Sequence, residues 1–221
     1  MSKKKRPLPA LERRYYAFEV RADEDEQAGV ATISGRPIVY GSPTDICGMF
    51  EEIIEPGALD GADLSDVRFL VNHNTDMIPL ARSRKNYENS TMQLSPIDAG
   101  LDMVAAVDVA NNGTARELKS AIGRGDISGM SFMFSVADER WENVDSDYPT
   151  RHILKIASVI EVSAVTFPAY EDTEIHARGG ALESARDALE SARKTKRSKP
   201  EGVDALELAK AKNNIFKNFR R

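Results

Sequence analysis

The sequence has a single cysteine, few aromatic residues and no long apolar run. Cys47 has no second cysteine to pair with, which excludes an intrachain disulfide and a cysteine-based metal cluster. The longest apolar runs, such as residues 103–107, are far shorter than the roughly 20 residues that cross a bilayer. No apolar signal-peptide core follows the basic residues 1–6. We therefore expect synthesis in the cytosol and no membrane association.

Cofactor and metal motifs are missing as well. The three histidines, His73, His152 and His176, are scattered and show no HExxH or other metal-ligand spacing. There is no Walker-type glycine-rich loop and no dinucleotide fingerprint. The sequence therefore predicts neither a metal nor a cofactor, and any chemistry would come from side chains alone.

Charge is unevenly distributed along the chain. Residues 1–14 hold six Lys or Arg against one Glu, and residues 179–221 hold eleven against six acids. Each end thus carries a net charge of +5. Since the whole chain carries −5, the body between the two ends carries −15. Basic ends can bind nucleic acid, an acidic scaffold or an anionic surface, although a solvated, disordered tail is the simpler interpretation for residues 1–12. The acidic body argues against nucleic-acid binding as the main function.

The pattern of residues 15–178 predicts one folded domain made mainly of strands. Short apolar or β-branched stretches bounded by turn residues predict strands at residues 15–20, 29–40, 49–54, 67–71, 91–94, 101–109, 128–136, 151–156 and 159–167. An acidic turn is expected at residues 23–26, and the glycine inside residues 29–40 favours a bulge. The best helix of the body spans residues 114–122, with Asn111 or Asn112 as its cap.

The two ends are predicted to differ from this domain. Residues 1–14 are expected to form a flexible basic segment. Residues 179–221 are expected to form a basic helical tail, with helices at residues 181–193 and 203–219 joined by a linker that contains proline. Their thin apolar stripes indicate an appendage or a partner-binding arm, not a second core.

Ser131 is the best candidate for a nucleophile. It lies in a small, apolar strand with Gly129 close by, which can hold a hydroxyl rigidly. A serine needs a base to take its proton, and His73, at the end of an apolar strand, suits that role. Glu161, a carboxylate between apolar neighbours, could orient the imidazole. Most strand serines are structural, however, and a lone histidine is usually a satisfied one, so these residues alone leave a purely structural role open.

Four separated stretches resemble the prohead protease family of tailed phages, whose domain is similar to the herpesvirus assembly protease. Residues 50–59 read FEEIIEPGAL, and residues 71–74 read VNHN, followed by IPLAR at residues 78–82. Residues 125–132 read GDISGMSF, and residues 160–169 read IEVSAVTFPA. The order and spacing of these motifs agree with the family, and the resemblance covers about residues 15–177.

The resemblance implies an α+β, mainly β fold: an antiparallel, roughly seven-stranded barrel with surrounding helices. It implies Ser131 as nucleophile and His73 as general base and then acid. Glu161 is our choice for the third member, with His152 or another acid on a neighbouring strand as the alternative. Arg82 and Arg84, the nearest arginines after His73, are candidates for stabilising the oxyanion, against the alternative of simple surface arginines. Two residues depart from the usual pattern, since Ala81 and Met133 stand where relatives often have glycine.

The function implied is a serine endopeptidase that cleaves the scaffold, or the scaffold-like region of the major capsid protein, and also itself. It would act without a cofactor in the host cytoplasm, inside the assembling prohead, and a homodimer is a further expectation. Two alternatives remain open at this point. One is a catalytically silent assembly module that only binds capsid protein, and the other is a fusion of protease and scaffold.

Overall fold

The computed structural model describes residues 11–16, 20–25, 29–85, 87–166 and 181–198. These residues form eleven strands and two helices. The strands are β1 (Leu11–Tyr16), β2 (Val20–Asp25), β3 (Val30–Val39), β4 (Thr44–Ile46), β5 (Phe50–Ile54), β6 (Asp66–Val71), β7 (Ala81–Arg84), β8 (Met92–Ile97), β9 (Gly100–Asp108), β10 (Gly129–Glu142) and β11 (Thr150–Val165). The helices are α1 (Gly113–Arg124) and α2 (Ala181–Ser198).

A seven-stranded mixed sheet carries the candidate site residues. Its main path runs β1-β10-β11-β5-β4, and β6 and β7 extend it from the second half of β11. β11 is long enough to pair in parallel with β5 through its first residues and with β6 through its last ones. Its other edge is antiparallel to β10, so β11 lies at the centre of the sheet with β10 beside it.

A four-stranded antiparallel sheet in the order β2-β3-β9-β8 forms the second sheet. Alternate residues of a strand point to opposite faces, and in β9 the buried positions follow that period of two. The inward-facing residues of both sheets pack with α1 into one apolar cluster, which includes Ile33, Met103, Phe132 and Val162. Burial of this cluster fixes the register of the strands, because a one-residue slip would turn each apolar face outward.

Each end of α1 is capped by its own sequence. The side chain of Asn112 accepts a hydrogen bond from the backbone N–H of Ala115, and Gly125 ends the helix with a φ of 78°. A left-handed residue at this position is usually glycine, because a Cβ atom is unfavourable there. The apolar face of α1 buries Ala115, Leu118 and Ile122 in the main cluster.

A smaller apolar cluster holds α2 against the seven-stranded sheet. Ala185 and Leu189 of α2 pack with Ile46, Phe50 and Val144, and Trp141 lies edge-on to Phe50 with ring centroids 5.0 Å apart. Arg193 adds hydrogen bonds to the carbonyl oxygens of Val144 and Ser146. The first predicted tail helix is therefore docked on the sheet, whereas the second, at residues 203–219, lies outside the described residues.

The mainly β, α+β class is confirmed, but a seven-stranded barrel is not. Seven strands do share one sheet, yet among the described residues no strand pairing closes either sheet. Two of the pairings of β11 are parallel, although most pairings are antiparallel as expected. The bulge predicted in the strand around Gly35 is confirmed by a register shift between Gly35 and Ile38.

Several element boundaries differ from the predictions. Residues 151–167, predicted as two strands, form the single strand β11 as far as Val165, and the predicted acidic turn at residues 23–26 belongs to β2 as far as Asp25. The predicted strand at residues 15–20 is replaced by the end of β1 and the start of β2. β1 begins at Leu11, so part of the basic N-terminal segment pairs with β10. The first half of β1 is mostly charged, so apolar periodicity does not predict a strand there.

Candidate active site

Ser131 lies near the start of β10, in the interior of the sheet. β11 pairs with one edge of β10 and β1 with the other, so that Ser131 is opposite Ser163 on β11 and Tyr15 on β1. Its side chain has no exposed surface. The apolar residues around it, predicted to hold the hydroxyl rigidly, are themselves buried.

His73 follows β6 directly, in a tight turn. Asn72 and His73 have φ values of 51° and 54°, a left-handed conformation that is uncommon for residues other than glycine and most often tolerated by asparagine. The side chain of Asn72 holds the turn to the end of β11, since its Nδ2 donates to Thr166 Oγ1 at 3.0 Å and its Oδ1 accepts from Thr166 N at 2.9 Å. This clamp places a buried imidazole next to β10 and β11.

Glu161 and Ser163 come from β11 and share one face of that strand. The Glu161 carboxylate is 1% exposed and forms a short hydrogen bond with Nδ1 of His73. Ser163 Oγ donates to the second carboxylate oxygen of Glu161 at 2.5 Å and accepts from the backbone N–H of His73 at 3.1 Å. The parallel pairing of β6 with this part of β11 brings the turn at His73 to these two residues.

The three side chains form a continuous chain of hydroxyl, imidazole and carboxylate. His73 Nε2 lies 2.6 Å from Ser131 Oγ, on the far side of the ring from Glu161. A carboxylate can only accept, so a proton on Nδ1 faces Glu161 and leaves the lone pair of Nε2 toward the hydroxyl. In this tautomer the imidazole can take a proton from Ser131, which is the arrangement that activates a serine nucleophile.

A second acceptor competes for the same hydroxyl proton. The backbone carbonyl oxygen of Arg14, on β1, is also within hydrogen-bond distance of Ser131 Oγ. A hydroxyl group carries one proton, so it cannot donate to Arg14 and to His73 at the same time. β1 therefore both covers Ser131 and offers its proton another partner.

Charged side chains attach β1 to the sheet on the face of β10 opposite to the Ser131 side chain. We call Glu12, Arg14, Glu52, Glu139 and Arg151 the charge cluster. Arg14 binds both carboxylate oxygens of Glu52, through a short bond from Nε and a 2.8 Å bond from Nη2, and also binds Glu12 at 2.5 Å. Arg151 binds Glu12 through two nitrogens at 2.5 and 2.8 Å, Glu52 at 3.0 Å and Glu139 at 2.8 Å.

Mutual pairing favours the ionised forms of Glu12 and Arg14 despite their burial. Burial alone would raise the pKa of Glu12, but the hydrogen bond from Arg151 and the charges of Arg14 and Arg151 hold that pKa below its ordinary value. Burial opposes the charge of Arg14 as well, and the negative charges of Glu52 and Glu12 still raise its pKa above the ordinary value. Removing one partner from a buried ion pair is strongly destabilising. The partners of Glu12 and Arg14 outside β1 lie far away in the chain, so no sequence motif predicts these contacts.

The other predicted site residues have separate partners. Arg82, on β7, donates to both oxygens of Asp66 on β6 at 2.6 and 2.8 Å, and Arg84 is exposed. His152, the alternative third member, lies at the other end of β11, with Nδ1 2.6 Å from Glu55. The structure thus joins Ser131, His73 and Glu161 and holds Arg82 and His152 in other contacts. Cys47, the single cysteine of the sequence, is exposed.

Comparison with known proteins assigns the family. The family model described as caudovirus prohead serine protease matches residues 16–187, more than three quarters of the chain. The chain belongs to the caudovirus prohead serine proteases. It is also 31% identical over 175 residues to the prohead protease of Enterobacteria phage HK97, covering 76% of this chain and 69% of that protein. No solved structure is matched.

Membership of this family makes the chain a serine peptidase of capsid maturation. The family match contains Ser131, His73 and Glu161 and begins at the last residue of β1. Among the residues that the structure describes, no helix is long and apolar enough to cross a membrane. In the same residues, no group of three or more His, Cys, Asp or Glu side chains could hold a metal ion.

Proposed function

We propose that this prohead protease cleaves peptide bonds through Ser131, with His73 as general base and then acid, and Glu161 as the residue that orients the imidazole. The contact that carries the proposal is the 2.6 Å approach of His73 Nε2 to Ser131 Oγ, with Glu161 bound to the opposite nitrogen. The alternative third residue, His152, has its Nδ1 engaged by Glu55. The geometry therefore favours Glu161 for this role.

The reaction is acyl transfer. Ser131 Oγ forms a bond with the peptide carbonyl carbon while its proton passes to His73 Nε2. The carbon–nitrogen bond then breaks, and His73 gives the proton to the leaving amine. Water next attacks the ester carbon and gives a proton to His73. The bond between that carbon and Ser131 Oγ then breaks, His73 returns the proton to Ser131 Oγ, and the acid product leaves. The buried Glu161 carboxylate stabilises the imidazolium that forms in each half of the cycle.

The oxyanion of the tetrahedral intermediate needs fixed donors, and Arg82 and Arg84 remain our candidates. Loss of one such donor typically lowers kcat by about 10²–10³. Asp66 already binds the Arg82 guanidinium, and both side chains are more than one third exposed. This pairing argues for the alternative that Arg82 is a surface arginine with a structural use. Arg84, the last residue of the same strand, is exposed and is the better candidate for binding the oxyanion.

The substrate we propose is the scaffold, or the scaffold-like region of the major capsid protein, inside the prohead in the host cytoplasm. The protease would also process itself, and a homodimer remains an expectation from the resemblance. A fusion of protease and scaffold would use the tail of residues 179–221 as the scaffold. The sequence of that tail is basic, which suits an acidic partner such as scaffold helices.

The test is co-expression of the full chain with the major capsid protein from the same phage, followed by intact-mass analysis. Wild type should truncate the capsid protein, and Ser131→Ala should not. Ser135→Ala is a matched control, because Ser135 is also buried on β10 but its hydroxyl lies 2.8 Å from that of Ser158. This control should leave cleavage unchanged.

Two other outcomes would redirect the assignment. Equal truncation by wild type and Ser131→Ala would place the nucleophile elsewhere. Full-length capsid protein with every folded variant would favour the silent assembly module, which binds capsid protein without cutting it.

A further inference from the structure

A substrate cannot reach Ser131 while β1 is in place. The side chain of Ser131 has no exposed surface, and both edges of β10 are paired, with β11 on one side and β1 on the other. β11 carries Glu161 and cannot leave without dismantling the site. The edge taken by β1 is thus the edge that must open for catalysis.

An extended peptide is the natural occupant of such an edge. A free strand edge offers N–H and C=O groups, and a peptide binds there by adding one more strand. β1 shows how this edge is filled, since it pairs antiparallel with β10 from Leu11 to Tyr16, opposite Ser135 to Met130. Its backbone also brings one carbonyl group, that of Arg14, to the hydroxyl of Ser131. The residue at the Arg14 position of any such peptide presents its carbonyl to the nucleophile.

The side chain at that position enters a site built for an arginine. Both oxygens of Glu52 bind the Arg14 guanidinium, and the guanidinium carbon lies 5.6 Å from the ring centre of Phe134. Glu52 has no exposed surface, and Arg14 is 2% exposed. A carboxylate that binds two nitrogens of a guanidinium selects arginine by geometry as well as charge, and lysine can satisfy it only as a point charge.

The pairing of charges supports the same assignment. Without β1, the charge cluster keeps Glu52, Glu139 and Arg151, so that the two carboxylates share one arginine. An arginine two residues after an acid, as in β1, restores both contacts, because the acid binds Arg151 and the arginine binds Glu52. A neutral residue leaves Glu52 with Arg151 alone, and an acid adds repulsion.

We propose that the β10 edge occupied by β1 is the substrate-binding site, and that Glu52 determines specificity by recognising an arginine immediately before the bond that is cut. This inference rests on the proposed role of Ser131. In β1 the Arg14 carbonyl holds the hydroxyl proton, and a bound peptide is cut when that proton moves to His73 Nε2, which is 2.6 Å from the same oxygen. The attack, the breaking of the carbon–nitrogen bond and the release by water then follow as described above.

The probe is a synthetic peptide with the sequence of residues 9–18, PALERRYYAF, analysed by mass spectrometry after incubation with the purified full chain. The peptide is supplied at a concentration on the order of millimolar, so that it can compete with the tethered β1. We expect one cut, between the residues that correspond to Arg14 and Tyr15. Because hydrogen bonds to charged groups contribute about 1.5–3 kcal/mol, a peptide with Arg14→Gln should lose roughly 10- to 100-fold in kcat/KM. Arg14→Lys should lose less, and Arg13→Gln, which changes the half-buried neighbour on the other face of β1, should lose little.

The enzyme provides a matched pair of variants. Glu52→Gln should remove most of the preference for Arg over Gln at this position while still cutting the Gln peptide. Glu51→Gln, one residue earlier on β5 and on its other, half-buried face, should keep the preference. The preference is a ratio measured on one enzyme preparation, so a partly unfolded Glu52→Gln sample does not alter it, and the peptide series on wild type needs no enzyme variant.

The outcomes separate this inference from the proposed function. A wild-type enzyme that truncates capsid protein in a Ser131-dependent way but cuts all the peptides equally, or none of them, overturns the inference alone. Capsid cleavage that persists in Ser131→Ala overturns the proposed function, and the assignment of this edge falls with it.

Discussion

Ser163 connects the backbone of His73 to the carboxylate that binds the His73 imidazole. Its hydroxyl accepts from the backbone N–H of His73 and donates to the carboxylate of Glu161, and its side chain is completely buried. It thereby holds the carboxylate that binds His73 Nδ1. In the proposed mechanism, Ser163 positions the reacting groups without touching the substrate.

Removal of this hydroxyl should lower turnover more than substrate binding. In Ser163→Ala, the His73 N–H and one oxygen of Glu161 lose a buried partner, which costs about 1–3 kcal/mol. We expect kcat to fall by roughly 10- to 100-fold with little change in KM, measured by steady-state kinetics on a cleaved peptide. Ser135→Ala serves as the control for a buried β10 hydroxyl. A lower thermal midpoint with unchanged kcat would instead show that Ser163 is only structural.

The sequence predicts single residues well where chemistry restricts the choice. Ser131, His73 and Glu161 were predicted from the type of side chain and the family resemblance, and they lie together in the structure. Ser163 was missed, although its position two residues after Glu161 on one strand places both on the same face. Arg14 was missed for another reason. Its partner Glu52 is 38 residues away, and no local pattern encodes that contact.

Lowering the pH should loosen β1 from β10, because charged side chains attach β1 to the sheet. A carboxyl group whose pKa is lowered by folding stabilises the fold fully above its unfolded value, and this contribution is lost as the pH falls through the folded value. Glu12 is such a group, held below the ordinary 4.5 against the effect of burial by Arg151 and Arg14. We therefore expect faster amide exchange in residues 11–16 than in β11 as the pH falls below that ordinary value.

Hydrogen exchange with mass spectrometry, corrected for the intrinsic effect of pH, would measure this loosening. Glu52 binds Arg14 and Arg151, and Glu139 binds Arg151, so Glu12→Gln is needed to isolate the share of Glu12. That variant should show loosened β1 already at neutral pH and a weaker response to acid. Parallel exchange of β1 and β11 at every pH would contradict the expectation.

Elements were predictable to the extent that apolar periodicity marks them. The pattern predicts the strands of the core and α1 with its cap, since these bury one regular face. It fails for β1, whose inward side chains are Glu12 and Arg14 in place of apolar residues. It also gives no sign of the left-handed turn at Asn72 and His73, which depends on the side-chain clamp to Thr166. Charge pairing and turn geometry are tertiary features that a window of sequence does not contain.

The whole molecule joins a large core to a weaker attachment at α2. The main cluster unites both sheets and α1, whereas α2 is held by the small cluster around Leu189 and by Arg193. Local stability follows the amount of buried apolar contact. α2 should therefore open independently of the core.

Leu189→Ala should expose this independence. Deleting a buried leucine side chain typically costs about 2–5 kcal/mol, and in a cluster of this size the loss should unfold α2 alone. We expect trypsin to cut after Arg193 or Lys194 at least tenfold faster, with the midpoint of global unfolding nearly unchanged. Ser191→Ala, an exposed change on the same helix, is the control. An equal fall in global stability and no faster cutting would show that α2 is part of the main cooperative unit.

At this scale the sequence predicts the fold class but not how the strands are arranged. Alternating patterns and turns predict a mainly β protein, and the resemblance adds a barrel. The structure instead divides the described strands into two sheets, with β11 pairing two parallel neighbours in succession. That division depends on which strand edges meet across long distances in the chain, and strand composition alone does not specify it.

The position of β1 has a consequence for the timing of head assembly. A segment tethered to its own binding site acts as a competitor whose effective concentration is on the order of millimolar for a short linker. With the β10 edge as the proposed substrate-binding site, dilute capsid subunits in the host cell would not displace such a competitor, whereas subunits crowded inside a closed shell would approach the same concentration range. The enzyme would then stay inactive among free subunits and begin to cut once the shell has gathered enough of them around it.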